Sequence, residues 1–158
     1  MRRSRPRPED PGDGRAVERA ALDLLARREH SRAELARKLE SKGFDAVAVA
    51  AALDDLAARD LVSDRRFTES YVRARAERGF GPMRVRAELR ERGIDDALAA
   101  EYVDERAAQW AERLEAARRK RFGPDAPGDA RERARQSRFL EQRGFTSEQI
   151  RRSLADDD

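Results

Sequence analysis

Two pairs of neighbouring aspartates and one histidine are the side chains in this sequence that could carry out acid–base chemistry. The pairs are Asp54-Asp55 and Asp95-Asp96, and the histidine is His30. Adjacent residues on a helix point about 100° apart, so the two carboxylates of a pair cannot act together on one substrate. His30 has no second histidine for a metal site or a proton relay, and we expect it in an exposed loop. The sequence therefore predicts no catalytic residue and no metal site.

Nucleotide chemistry is not indicated either. The sequence contains neither the Gly-x-Gly-x-x-Gly pattern of dinucleotide-binding turns nor a Gly-Lys-Ser/Thr loop that would cradle phosphates. We therefore expect a protein that is not an enzyme and that uses no cofactor.

Arginine, by contrast, is abundant, and its guanidinium group binds phosphate and carboxylate alike. It supplies 32 of the 35 basic residues, and 42% of the chain is charged. The charge lies in blocks: residues 65–92 hold nine Arg and four Glu, residues 93–117 hold seven acids and two Arg, and residues 118–121 are all basic. This pattern favours a surface for a partner that combines protein and nucleic acid. A solvated Arg/Glu surface without a binding role is the competing interpretation.

The densest group of positive charge lies on one short predicted helix. Only Glu88 and Glu91 accompany its four arginines, which are Arg84, Arg86, Arg90 and Arg92. We expect Arg84, Arg86 and Arg90 to face solvent and to make phosphate or carboxylate contacts with a partner.

A repeated phrase shows which elements must position these side chains. It occurs at Leu39–Phe44, Leu89–Ile94 and Leu140–Phe145, and the glycines within it are 50 and 51 residues apart. A glycine that takes positive φ ends a helix, and the apolar residue after it packs back on the last turn. Each phrase therefore predicts a corner between two helices. Units of this size stack on one another to build a common core, so the chain is predicted to be a tandem repeat.

Capping residues follow each corner. Asp45, Asp95 and Thr146 stand where the next helix begins, and each can accept hydrogen bonds from its first turn. Ser31 and Glu34 have the spacing of a capping box at another helix start.

Together these signals predict an all-α fold, an elongated tandem array of three three-helix modules. The modules are residues 15–62, 63–103 and 104–158, preceded by a disordered basic arm at residues 1–14 that is rich in proline and arginine. No Pro or Gly interrupts residues 95–122, so one long helix and two shorter ones both remain open there.

The composition also bears on location. The chain has no cysteine and no apolar run near the roughly 20 residues that span a bilayer. No apolar segment follows the arginines near Met1. We expect a cytoplasmic monomer without membrane contact.

The second module resembles the central motif of the RecX family, through the runs Asp64–Arg75 and Gly81–Ile94. The first module fits the same family pattern at Ser31–Leu35, Lys42–Phe44 and Leu61–Asp64. The resemblance covers about residues 15–155. The third module departs from the pattern in its loop at residues 123–128 and in the polar residue Gln136.

This resemblance implies an inhibitor of the bacterial RecA recombinase. Such a protein would lie in the groove of the RecA–DNA filament and suppress ATP hydrolysis and strand exchange. The implied partners are the RecA filament and single-stranded DNA, reached through the filament or directly. The family has no agreed catalytic residues to carry over. Its basic central face corresponds here to Arg73, Arg75, Arg84, Arg86, Arg90 and Arg92.

Two other functions remain open from the sequence. Residues 31–62 also resemble the helix-turn-helix of a DNA-binding transcription regulator, although such regulators are usually dimers with one unit per chain. A non-catalytic helical scaffold is the third interpretation. The sequence does not decide between inhibition and stimulation of the partner.

Overall fold

The computed structural model describes residues 6–155, and the regular secondary structure in this part of the chain is helical throughout. Nine α-helices and no strand lie within it, which confirms the predicted all-α class of three three-helix modules. The helices are α1 (Gly14–Leu25), α2 (Arg32–Ser41), α3 (Ala46–Ala58), α4 (Asp64–Glu77), α5 (Pro82–Glu91), α6 (Asp96–Tyr102), α7 (Ala108–Phe122), α8 (Ala130–Arg143) and α9 (Ser147–Leu154). No helix among these residues is both long and apolar enough to cross a membrane.

Helix contacts divide the chain into two compact units. The first contains the residues up to Thr68 together with residues 92–94, and the second contains residues 69–91 together with those from Asp95 onward. The first unit therefore holds α1–α3, and the second holds α5–α9 with most of α4. The predicted module boundaries at residues 62 and 103 remain predictions.

The core of the first unit comes from the apolar stripes of three helices. Its buried members are Val17, Ala21, Leu35, Leu39, Val49, Leu53, Leu56 and Val62. Removing this apolar surface from water is the main force that holds α1, α2 and α3 together.

The second unit has its own core, centred on Trp110 and Leu114 of α7, which are 1% and 0% exposed. Further buried residues from the other helices are Val72, Val85, Leu89, Ala99, Val103, Leu140, Phe145, Ile150 and Leu154. Trp110 is thus a residue of the protein interior. Its indole Nε1 has no hydrogen-bond partner among the described residues.

The three predicted corners are confirmed by their backbone angles. Gly43, Gly93 and Gly144 have φ values of 103°, 77° and 97°. In the second unit the Gly144 corner lies against the start of α5, where a Cβ on Gly144 would stand 2.3 Å from Arg84 Cβ. In the first unit a Cβ on Gly93 would stand 2.4 Å from Ala33 Cβ near the start of α2. These glycines thus serve both the turn and the close packing of one corner on another helix.

Most of the predicted caps form. Asp95 accepts from Ala97 N–H, and Thr146 forms a full capping box with Gln149. Asp45 is an exception, because its side chain makes no cap bond. Its backbone N–H instead donates to Pro11 O at 2.8 Å.

Only half of the capping box predicted at Ser31 is present. Ser31 Oγ accepts from Glu34 N–H at 3.1 Å and donates to Arg92 O at 2.7 Å. The Glu34 carboxylate is bound to Arg28 at 2.6 Å, so it does not return to the N-cap backbone.

The arm predicted at residues 1–14 lies partly outside the described residues. Its described part contacts the first unit instead of standing free: Asp13 caps α1, and Pro8 Cδ is 3.1 Å from the place of a Cβ on Gly43. Pro8 therefore packs on the first corner much as helix starts pack on the other two.

The interval left open in the sequence contains two helices. Val103 caps the end of α6, and α7 begins at Ala108. The break lies near Asp104, where the boundary between the second and third modules was predicted.

Candidate functional site

The predicted basic face contains a cluster centred on Glu88 of α5. Arg75 of α4 donates to both carboxylate oxygens of Glu88, at 2.8 and 2.5 Å. Tyr71 Oη donates at 2.6 Å and Arg84 Nε at 3.2 Å. Partial burial alone would raise the pKa of Glu88, but hydrogen bonds from Arg75, Tyr71 and Arg84 hold it below the ordinary value. Glu88 therefore stays ionised and fixes two of the predicted arginines in place.

The ring of Phe80 also contacts the two arginines that Glu88 binds. The guanidinium carbons of Arg75, Arg84 and Arg143 lie 3.8, 4.4 and 4.9 Å from the centroid of the half-buried Phe80 ring. A cation over an aromatic face is attracted by the ring quadrupole. Phe80 was not among the residues singled out from the sequence, because its arginine partners come from three different helices.

The remaining predicted arginines do not join this cluster. Arg86 pairs with Glu105 at 3.2 Å and Arg90 with Asp96 at 3.2 Å, both on the side of α5 away from Arg84. Arg73 pairs with Glu69 at 3.3 Å along α4. Arg75 and Arg84 therefore lie on one side of α5, and Arg86 and Arg90 lie on the other. These four arginines do not form one face.

Arg92 differs from the other five predicted arginines, because it belongs to the first unit. Its backbone carbonyl accepts from Ser31. The structure assigns it a place at a helix corner.

Structural contacts also account for the acidic pairs. Asp54 binds Arg32, and Asp55 binds Arg59 at 3.0 Å. Asp95 caps α6, and Asp96 binds Arg90.

The expectation that His30 is exposed was wrong, because the residue is 2% exposed. Its Nδ1 lies 3.0 Å from Arg28 O and its Nε2 lies 3.1 Å from Lys38 Nζ. Burial lowers the pKa of His30, since the charged imidazolium is poorly solvated there and Arg28 and Lys38 are both positive. A neutral ring satisfies both contacts, with Nδ1–H donating to Arg28 O and Nε2 accepting from Lys38.

A second group of basic residues was not predicted as a site. A cleft of about 260 Å³ lies between α4, α7 and α8 in the second unit. Its charged lining residues are Arg78, Arg113, Lys120, Arg121, Arg143 and Glu77, and Ala76, Ala117 and Phe139 add apolar surface. None of its five basic side chains pairs with an acid within residues 6–155. The sequence signal available was the basic run at 118–121, but nothing local joins it to Arg78 or Arg143.

Three family models match this chain almost end to end. They are described as the first, second and third three-helix domains of RecX, and they match residues 19–56, 63–103 and 105–154. The chain belongs to the RecX family.

Curated relatives agree with the RecX assignment. "Regulatory protein RecX" of Halorhodospira halophila is 46% identical over 140 residues, covering 89% of this chain and 87% of the relative. The protein of the same name from Pseudomonas entomophila is also 46% identical, covering 89% of this chain and 90% of the relative.

Solved structures share the RecX fold. The crystal structure of RecX from Lactobacillus salivarius has a TM-score of 0.75 at 23% identity, covering 90% of this chain and 94% of its own. A second structure, described as regulatory protein RecX, has a TM-score of 0.77 at 21% identity, covering 91% of this chain and 73% of its own.

The departure from the RecX pattern at Gln136 has a structural reason. Gln136 and Arg118 are 2% and 5% exposed, and Arg118 Nη1 lies 3.4 Å from Gln136 Oε1. Arg118 also donates to Asp125 O at 3.0 Å and to Glu115 at 2.7 and 3.0 Å. Hydrogen bonding from Arg118, with a further bond from Arg119, lowers the pKa of Glu115 to about 2 against the opposing effect of burial. Within the basic run, Arg118 is therefore a buried structural residue.

Proposed function

We propose that this chain regulates the RecA recombinase and that it does so as an inhibitor, by binding in the groove of the RecA–DNA filament. The observation that carries the proposal is the match of three successive RecX domains from residue 19 to residue 154. The curated relatives named as regulatory proteins support the regulatory part.

The filament contacts come from the predicted arginines on α4, α5 and the following turn, foremost from the most exposed of them, Arg73 and Arg90; the predicted set is Arg73, Arg75, Arg84, Arg86, Arg90 and Arg92. Arg73 and Arg90 have side chains 64% and 70% exposed, and their partners Glu69 and Asp96 are also more than half exposed. Such pairs contribute little to stability, so they can exchange partners at low cost when a protein surface of mixed charge approaches. Arg75 and Arg84 are held by Glu88 and Phe80, so they are less available to the filament than Arg73 and Arg90.

The chain acts without catalysis, as a monomer in the cytoplasm. Asp54, Asp55, Asp95 and Asp96 all serve ion pairs or a helix cap, which supports a binding role. A tandem array that touches neighbouring recombinase subunits affects many of them per bound molecule.

A co-sedimentation experiment tests the proposal. The protein is mixed with RecA filaments on single-stranded DNA, with free RecA, or with bare DNA, and the bound fraction is measured for each. We expect the strongest binding to the filament. An Arg73→Gln/Arg90→Gln variant should bind the filament less tightly and keep its helical content, whereas Arg19→Gln/Arg27→Gln provides a control with equal loss of charge.

Two outcomes would contradict the proposal. Binding to bare DNA that equals binding to the filament would favour the DNA-binding regulator. No binding to any of the three would favour the scaffold.

A further inference from the structure

The cleft between α4, α7 and α8 is lined by five positive charges and one negative charge. Five basic side chains line it, and the one acid beside them, Glu77, is exposed and makes no ion pair in the described chain. Elsewhere the arginines around α5 each have a carboxylate within 3.3 Å. Like charges that converge repel one another, so an anion that entered this cleft would be held by several cations at once.

Two of these cations are oriented in advance by aromatic rings. Arg143 lies between Phe80 and Phe139, with its guanidinium carbon 4.9 and 5.1 Å from the two centroids. Arg121 lies 5.4 Å from the Phe122 centroid, and Phe122 packs edge-on against Phe139 at 5.2 Å. Side chains held this way lose less conformational entropy when they bind a ligand.

We infer that this cleft binds the backbone phosphate of single-stranded DNA, with an adjoining base against the apolar surface of Ala76, Ala117 and Phe139. Proteins that bind single strands combine a basic groove with aromatic faces on which bases stack. A volume of about 260 Å³ suits one phosphodiester and part of a base. An acidic peptide would match the charge but would leave the half-exposed Phe139 ring without a stacking partner. The inference rests on the proposed function only in its choice of DNA over RNA.

A neighbouring cavity offers a reporter for this cleft. It has a volume of about 230 Å³, shares Ala76 and Arg113 with the cleft, and is also lined by Trp110. Trp110 is the only tryptophan of the chain. Its fluorescence should change when a ligand engages Arg113, one helical turn away.

The test measures binding of the full chain to a labelled oligothymidylate of about 16 nucleotides, the upper end of site sizes for one small binding fold. The cleft variant is Arg113→Gln/Lys120→Gln/Arg121→Gln. The control variant, Arg19→Gln/Arg27→Gln/Arg106→Gln, removes the same charge from exposed residues that do not line the cleft. Affinity is taken from fluorescence anisotropy at several salt concentrations, with Trp110 emission as a second readout.

We expect the cleft variant to bind about tenfold more weakly and its salt slope to fall by roughly 0.7, since one phosphate contact on a single strand contributes about that amount. The control should stay within about threefold of the wild type. Phe139→Leu should weaken binding about fivefold and leave the salt slope unchanged, because it removes stacking and no charge.

Several results would overturn the inference: no binding by the wild type, equal losses in the two triple variants, equal competition by duplex DNA, or stronger competition by polyglutamate. The outcome is separable from the proposed function. A wild type that binds the strand through the cleft but ignores RecA refutes the proposed function alone. A cleft variant that binds the strand normally while the wild type still regulates RecA refutes the inference alone.

Discussion

The arginines around α5 and the basic residues of the cleft are all positively charged, but they differ in whether an acidic side chain pairs with them. Glu88 binds Arg75 and Arg84, and Glu105 and Asp96 bind the other two arginines of α5. The five cleft residues have no acidic partner in the described structure. A charge that already has a partner stabilises the fold or exchanges that partner, whereas an unpaired one is available to a ligand. Pairing, and not the density of arginine along the sequence, therefore separates arginines that must release a carboxylate before they bind from basic residues that are already available to a ligand.

The largest effect should come from removing the centre of the paired region. Glu88→Gln takes a charged acceptor from Arg75, Arg84 and Tyr71, so we expect the free energy of unfolding to fall by about 2 kcal/mol. Urea unfolding followed by circular dichroism measures the change. The matched control is Glu77→Gln in the cleft, which should stay within about 0.5 kcal/mol because Glu77 makes no ion pair in the described structure. An equal loss of unfolding free energy in Glu88→Gln and Glu77→Gln would contradict the distinction between paired and unpaired charge.

A smaller effect should come from Glu115, which holds the one buried arginine of α7. Glu115→Gln should cost about 1 to 2 kcal/mol at neutral pH, less than a fully buried pair because Glu115 is 34% exposed.

The pH dependence of this effect has a definite sign. The pKa of Glu115 is lowered from 4.5 to about 2 in the folded chain, so its contribution is complete above pH 4.5 and is lost as the pH falls through about 2. The stability difference between wild type and Glu115→Gln should therefore shrink between those values. A difference that stays constant over this range would show that Arg118 is not held by the ionised carboxylate.

The smallest effect on stability should come from the cleft itself. Arg113→Gln/Lys120→Gln/Arg121→Gln removes three cations without acidic partners, so the free energy of unfolding should change by less than about 0.5 kcal/mol or rise slightly as repulsion is relieved. The urea midpoint measures this. A loss above about 1 kcal/mol would mean that these residues have structural partners and would weaken the case for a binding site.

Local signals in the sequence predicted most of the fold. Gly43, Gly93 and Gly144 were predicted as corners because glycine is the residue that most easily takes positive φ after a helix. Asp95 and Thr146 were predicted as caps because their side-chain oxygens accept hydrogen bonds from the first turn of a helix. Asp45 stands at the predicted N-cap position of α3, but its side chain makes no cap hydrogen bond.

The site was much less accessible from the sequence, because charge pairing depends on neighbours from other helices. The sequence does not show that Arg84 and Arg75 share Glu88 and Phe80. It does not show that the buried Arg118 side chain lies beside Gln136 either. The sequence around His30 likewise does not show that its ring is buried and meets Lys38 of α2. The cleft joins side chains from three helices that no spacing rule relates.

The most direct test of the central proposal, regulation of RecA, is a titration of ATP hydrolysis by RecA on single-stranded DNA. We predict that the chain lowers hydrolysis and strand exchange at amounts well below one molecule per recombinase, and that longer DNA does not require proportionally more protein. Inhibition that needs full coverage and disappears on adding bare competitor DNA would indicate simple masking of the strand. No change in hydrolysis at any ratio would contradict the proposed function.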